Sequence, residues 1–211
     1  EGRLSLELPI PVAPTVEGSG VLWHLADVHE LTLRDHAALM AIVSDNTATN
    51  RVIEAVGMDR VNGRLDEWGC PATRLKRKMF DRAAEAAGRN NVMTARETAW
   101  LLLRLVRGEL VDRATSDAVL GVLEHGTEGA RLRRYLPFGK YVAHKYGTLD
   151  RVRNDIGVIR VDRSVVAAGF TNDLDDEASA DVVLGLLGWA AYRVAGGDGP
   201  EMPLALELGA P

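Results

Sequence analysis

The chain has 211 residues, 46% hydrophobic and 26% charged, which excludes a disordered tail and a fibrous protein and allows one large domain or two small interleaved ones. Its formal net charge of −5 provides no overall basic field for nucleic acid. A single cysteine, Cys70, excludes an internal disulfide and a cysteine-based zinc site.

Residues 1–14 are apolar and punctuated by Pro9, Pro11 and Pro14, which reads as extended chain or loop, and a Gly-Ser-Gly stretch follows at 18–20. Thr32-Leu-Arg-Asp35 is a capping-box-like start for a helix through Val43. A second helix is predicted over 46–56, stopped by Gly57, and a third over 59–68, stopped by Gly69. Thr94-Ala-Arg-Glu97 is another capping box, heading a helix that ends at Gly108, and residues 112–124 give one more. Strands are predicted over 140–146, 155–161 and 165–170 from their β-branched content. A helix over 175–195 closes the fold, and the tail to Pro211 reads as loosely ordered. Within that helix the apolar run Val182–Tyr192 fits a core helix and is too short to span a bilayer. Trp23, Trp68, Trp100 and Trp189 stand among apolar neighbours and read as core. The organisation is a helical part over 15–136, with 1–14 and 137–211 forming a sheet part. Three strands under one helix make a thin sheet, so its edges are expected to be unpaired or to pair with residues outside these 211.

The most specific string is Ser44-Asp45-Asn46, because Ser, Asp and Asn together suit a helix N-cap but rarely continue as Thr-Ala-Thr-Asn50. Downstream, His144-Lys145-Tyr146-Gly147-Thr148 lies on a predicted strand. Lys145 is one of only four lysines among 25 basic residues, which makes its position there informative. S-D-N and K-T-G belong, with S-x-x-K, to the motif set of class A β-lactamases and penicillin-binding proteins. Gly88–Thr94 and Asn154-Asp155-Ile-Gly-Val158 add to the match. The chain resembles that superfamily of active-site serine hydrolases from about residue 1 to residue 195.

The resemblance implies an α/β (α+β) fold, with a helical domain beside an antiparallel sheet flanked by helices. It implies acyl-enzyme hydrolysis of β-lactams or a related acyl substrate. An acyl-transfer enzyme needs a nucleophile, a base and an electrostatic clamp. In this reading Ser44 relays a proton to the leaving nitrogen, and Asn46 offers its amide to the substrate's acylamide. Asp45 points inward and accepts backbone amides. Lys145 sets a cation beside Ser44 and the substrate carboxylate, within hydrogen-bond reach of Ser44 or one water away. Gly147 lets the substrate lie along the strand edge, and Thr148 donates its hydroxyl and an oxyanion-hole amide. Arg153 is the better of Arg151 and Arg153 for a carboxylate-binding arginine. His144 reads as packing. No metal or organic cofactor, no nucleic acid and no membrane span is implied. The expected partner is a small β-lactam or peptide-like substrate, and the family works outside the cytoplasm, in extracellular or periplasmic space.

Three departures qualify the resemblance. Tyr146 stands in the middle of the lysine triplet, where the family has Thr or Ser. The E-x-x-L-N string that carries a deacylating glutamate is absent, and Asp81 and Glu85, the acids between Lys78 and Asn91, read as solvent-facing on a short helix. No S-x-x-K occurs in the sequence. Gly2–Leu8 resembles the segment that follows the nucleophile-bearing helix, so the Ser-x-x-Lys is expected before Glu1, in an N-terminal segment of the same polypeptide. The intact Ser44, Asn46 and Lys145 favour this over a truncated relative without catalysis. The alternatives are a D,D-peptidase or esterase relative, or a non-catalytic domain that binds cell-wall peptides or a protein partner.

Overall fold

The computed structural model describes residues 4–199, so the tail beyond 199 and the first residues of the Gly2–Leu8 segment lie outside the described residues. Contacts divide the chain into two units, Glu1–Met93 and Thr94–Pro211. The expected division at 136/137 follows the change from helices to strands. The contact division falls earlier because two helices before that change pack on the sheet.

In the first unit, β1 (Pro9–Pro11) pairs antiparallel with β2 (Glu30–Thr32), with Ile10 opposite Leu31. Prolines flank Ile10, which suits a short two-stranded ribbon where few ladder amides are needed. Four helices follow: α1 (Leu33–Ile42), α2 (Asn46–Val56), α3 (Met58–Glu67) and the single-turn α4 (Arg82–Ala86). Thr32 caps α1 by accepting the Asp35 amide, and Asp45 caps α2 by accepting the Ala48 amide. Gly57, at φ 86°, separates α2 from α3. The core here joins Val12, Leu22 and Ala48.

The second unit begins with α5 (Ala95–Arg107) and α6 (Arg113–Glu124), capped by Thr94 and Asp112. The antiparallel sheet β3 (Tyr141–Leu149), β4 (Val152–Arg160), β5 (Ser164–Phe170) follows, then α7 (Glu177–Val194). Alternation along the strands sorts the core into two layers. Val142, Ile159 and Ala167 face Trp189 and Tyr192 of α7, with Leu132. Ala143 and Val158 face Leu102 and Leu105 of α5 and Leu120 of α6. The sheet is therefore covered on both faces. Register carries β3 to Leu149, beyond the predicted end at 146, because Gly147, Thr148 and Leu149 stay paired with Asn154, Arg153 and Val152. Among the described residues, β3 and β5 each keep one edge without a partner strand.

Two tryptophans depart from the core reading. Trp189 is buried, but Trp23 and Trp100 are 38% and 45% exposed. Trp23 donates its indole N–H to the Gly18 carbonyl, and the Arg104 guanidinium lies 5.9 Å from the Trp100 ring. A polar partner lets each large ring sit at the surface.

Candidate active site

In the first unit, Ser44 stands at the turn between α1 and α2 with φ 57°, a left-handed conformation uncommon outside glycine. Asp45 holds that turn. It is buried, and one carboxylate oxygen accepts the amides of Val21 and Leu22 at 2.6 and 2.8 Å while the other accepts Ala48 at 2.9 Å. A carboxylate taking several backbone N–H bonds satisfies the helix start and the crossing loop together. Gly20 is required for that approach: at φ 100°, a Cβ there would lie 2.2 Å from the Asp45 oxygen. The Gly-Ser-Gly segment thus wraps the turn. The Asn46 amide donates to the Ser19 carbonyl at 3.0 Å, and the Asn46 side-chain nitrogen to the Glu17 carbonyl at 2.9 Å. Thr47 bonds both backbone groups of Val16. Asp45 does what its position in the sequence predicts.

Three asparagines hold the segment that follows α3. Asn50 accepts the Met79 amide at 2.7 Å and donates to the Met79 carbonyl at 3.1 Å. Asn62 does the same for Leu75, and Asn91 accepts the amides of Lys76 and Arg77 and donates to the Arg77 carbonyl. A carboxamide offers one acceptor and two donors, so it can replace a missing strand partner for irregular backbone. Asp81 caps α4 through the Ala84 amide, and Glu85 pairs with Arg77 and Arg82 at 3.2 and 3.0 Å. Both acids of the segment have structural partners.

In the second unit, Lys145 lies mid-strand on β3, opposite Ile156 of β4. Its ammonium donates to the Tyr146 carbonyl at 2.8 Å and sits 4.5 Å from the Tyr146 ring centre. Burial lowers its pKa to about 8; Asp155 opposes the shift and Arg131 adds to it. Strand alternation sends His144, Tyr146 and Thr148 to the opposite face from Lys145 and Gly147. On that opposite face lies Arg131, a buried residue that sequence reasoning passed over. It donates to the carbonyls of Gly147 and Asn154, both at 3.1 Å, to the Thr148 hydroxyl oxygen at 2.7 Å, and to Asp181 of α7 at 2.7 Å. Accepting from Arg131 leaves the Thr148 hydroxyl hydrogen to point elsewhere. Tyr146, the departure from the triplet, has Lys145 and Arg131 cations near its ring, Arg131 at 5.8 Å.

Arg153 is engaged differently. Its guanidinium donates to the carbonyls of Leu149 and Val152 at 2.9 Å and pairs closely with Glu177. It ties the β3–β4 hairpin to the start of α7. His144 is buried, with Nδ1 at 3.0 Å from Asp155.

Residues 1–195 match the model of the beta-lactamase enzyme family, Beta-lactamase2. The chain belongs to this family. A beta-lactamase from Sphaerobacter thermophilus DSM 20745 is 35% identical with a TM-score of 0.85, the match covering 93% of this chain and 76% of that one. A beta-lactamase from Chitinophaga pinensis DSM 2588 shares the fold at 24% identity and a TM-score of 0.79, covering 91% and 77%. PBP-A does so at 23% identity and 0.79, covering 90% and 72%. No curated protein matches in sequence. Family and fold together give a mixed α/β protein with antiparallel sheets and a serine β-lactamase- or penicillin-binding-like function. Within this family frame, the clamp residues Gly18–Leu22, Asn50 and Arg131 are the ones missed from sequence. Gly20 and Asn50 stood inside strings already singled out, and Arg131 showed no signal beyond an arginine-rich stretch before Pro137.

Proposed function

We propose that this β-lactamase-family protein is a serine hydrolase of the class A type that reacts with β-lactams or related acyl substrates through an acyl-enzyme. The hydroxyl of a nucleophilic serine adds to the carbonyl carbon, its proton passes to a base, and the amide C–N bond breaks. Ser44 relays a proton to the departing nitrogen. Asn46 donates to the substrate's acylamide. Lys145, still largely an ammonium at neutral pH, faces the substrate carboxylate, and the Thr148 hydroxyl donates to the same group. Gly147 and the Thr148 amide line the strand edge against which the acyl group lies. Arg131 fixes Thr148 from behind, and Arg153 in this reading positions the hairpin.

The observation that carries the reading is Ser44 held at φ 57° by a buried carboxylate with three backbone partners. A strained serine that its surroundings over-determine is a mark of a functional position. The nucleophile in this reading belongs to a Ser-x-x-Lys in a segment of the polypeptide outside these residues; the longer chains of the relatives support this. Secretion to extracellular or periplasmic space belongs to the same proposal.

A second reading, a D,D-peptidase or penicillin-binding type in which the acyl-enzyme persists, is favoured by the engagement of Asp81 and Glu85. Rapid mixing of the encoded polypeptide with a chromogenic cephalosporin distinguishes the two. A stoichiometric burst followed by slow turnover supports the second, and sustained turnover the first. Absence of any burst or turnover removes both.

A further inference from the structure

Behind the strand that carries Lys145, three side chains with metal-ligand chemistry converge. Glu128, His144 and Asp155 each bring a ligand atom within 4.8 Å of the other two. His144 and Asp155 are buried at 1% and 0% exposure, and Glu128 is half-buried. Asp155 lies against His144 Nδ1, its oxygens at 3.0 and 3.1 Å, and also accepts the Leu132 amide at 3.1 Å. A carboxylate only accepts, so Nδ1 donates its proton to Asp155, and in the neutral imidazole the lone pair lies on Nε2. That Nε2 is buried and has no hydrogen-bond partner among the described residues. Glu128 uses Oε1 to accept the Ala130 amide at 2.6 Å, while its buried Oε2 likewise has none. Buried polar atoms are normally paired, so two orphaned atoms of ligand type in one cluster call for an explanation. Gly126 lies over the same imidazole: a Cβ there would be 3.2 Å from Nε2 and Cδ2, and the glycine leaves that ring edge uncovered.

We propose that Glu128 Oε2 and His144 Nε2 bind a divalent transition-metal ion of the zinc class, with Asp155 behind the imidazole orienting it. One imidazole nitrogen and one carboxylate oxygen suit Zn²⁺, whereas Mg²⁺ and Ca²⁺ take all-oxygen sets. A carboxylate on the far nitrogen of a ligating histidine is the usual support for such a site. With two protein ligands, water completes the coordination. The ion would tie the 126–130 loop to β3 one residue from Lys145. The proposal is independent of the acyl-transfer reading.

The test uses the purified protein after chelator dialysis, titrated with zinc chloride alone by calorimetry, with thermal unfolding in parallel. One zinc per chain and a raised Tm are expected, with no Tm shift from magnesium chloride at the same concentration. Glu128→Gln keeps the shape and should weaken binding roughly tenfold or more. Gly126→Ala keeps both ligand side chains and should also weaken binding, by crowding Nε2. Near-UV circular dichroism checks that both variants are folded. Absence of zinc binding by the wild type overturns the proposal, as does undiminished affinity in the two folded variants, which would place the ion elsewhere. An equal response to magnesium would also overturn it.

Discussion

The turn around Ser44 and the strand around Lys145 are fixed by groups of opposite charge. At the turn, a helix start and a crossing loop present surplus amides, and the Asp45 carboxylate accepts three of them. At the strand, the Arg131 guanidinium donates to two carbonyls of the paired strands and to a hydroxyl. The lesson is that a buried charge takes the sign that complements the backbone groups it meets, amides at the turn and carbonyls at the strand, independently of the charge the site needs for its chemistry. The two places differ again in completeness. Every oxygen of Asp45 has a backbone donor, whereas behind the Lys145 strand His144 Nε2 and Glu128 Oε2 have no partner among the described residues.

The comparison breaks most readily at its two clamps. Arg131→Leu removes four donor contacts of a buried guanidinium and leaves Asp181 with Arg153 at 3.9 Å, and should cost about 3–5 kcal/mol, read from the urea midpoint of unfolding. Asp45→Ala orphans three amides at about 1–3 kcal/mol each, so a loss of roughly 3 kcal/mol or more is expected by the same measurement. A loss under about 1 kcal/mol in either would show that water replaces the clamp without penalty, and the parallel between the regions would fail.

Lys145→Ala sharpens the functional side. Acylation by a carboxylate-bearing β-lactam should fall by about two to three powers of ten, the range for one preorganised electrostatic donor. An uncharged ester should lose much less, because no carboxylate then opposes the ammonium. Second-order rates on both substrates at one ionic strength decide it. Equal losses would mean that Lys145 acts through Ser44 or the fold alone.

Asn50→Ala releases Met79 and should cost about 1–2 kcal/mol, with faster proteolytic nicking between residues 76 and 81 as its specific sign. Unchanged nicking would make the amide clasp dispensable. The smallest effect expected is from Tyr146→Thr, which restores the family's residue and removes a ring near two cations: a change of about 1 kcal/mol or less in urea unfolding. A loss well beyond that would mean that Tyr146 is needed for packing.

What was legible in the sequence was local. Thr32, Thr94, Gly57 and Gly108 end or begin helices within a few residues of themselves, so their signals lie in short strings. Asp45 could be read inward because a helix start needs acceptors. The long-range partners could not be read. Asn50 meets Met79 across 29 residues, and Asp45 meets Val21 across 24, in loops without periodicity. Arg131 reaches Thr148 and Asp181 only once the sheet and α7 have formed. Trp23 and Trp100 misled because apolar neighbours in sequence do not fix which side of a helix or turn faces water.

The most direct test of the central claim is covalent labelling of the encoded polypeptide with a fluorescent penicillin, followed by peptide mapping. One adduct per chain is expected, on a serine of a Ser-x-x-Lys outside residues 1–211, forming more slowly in Ser44→Ala. An adduct on Ser44 itself, or no adduct at all, would contradict the account.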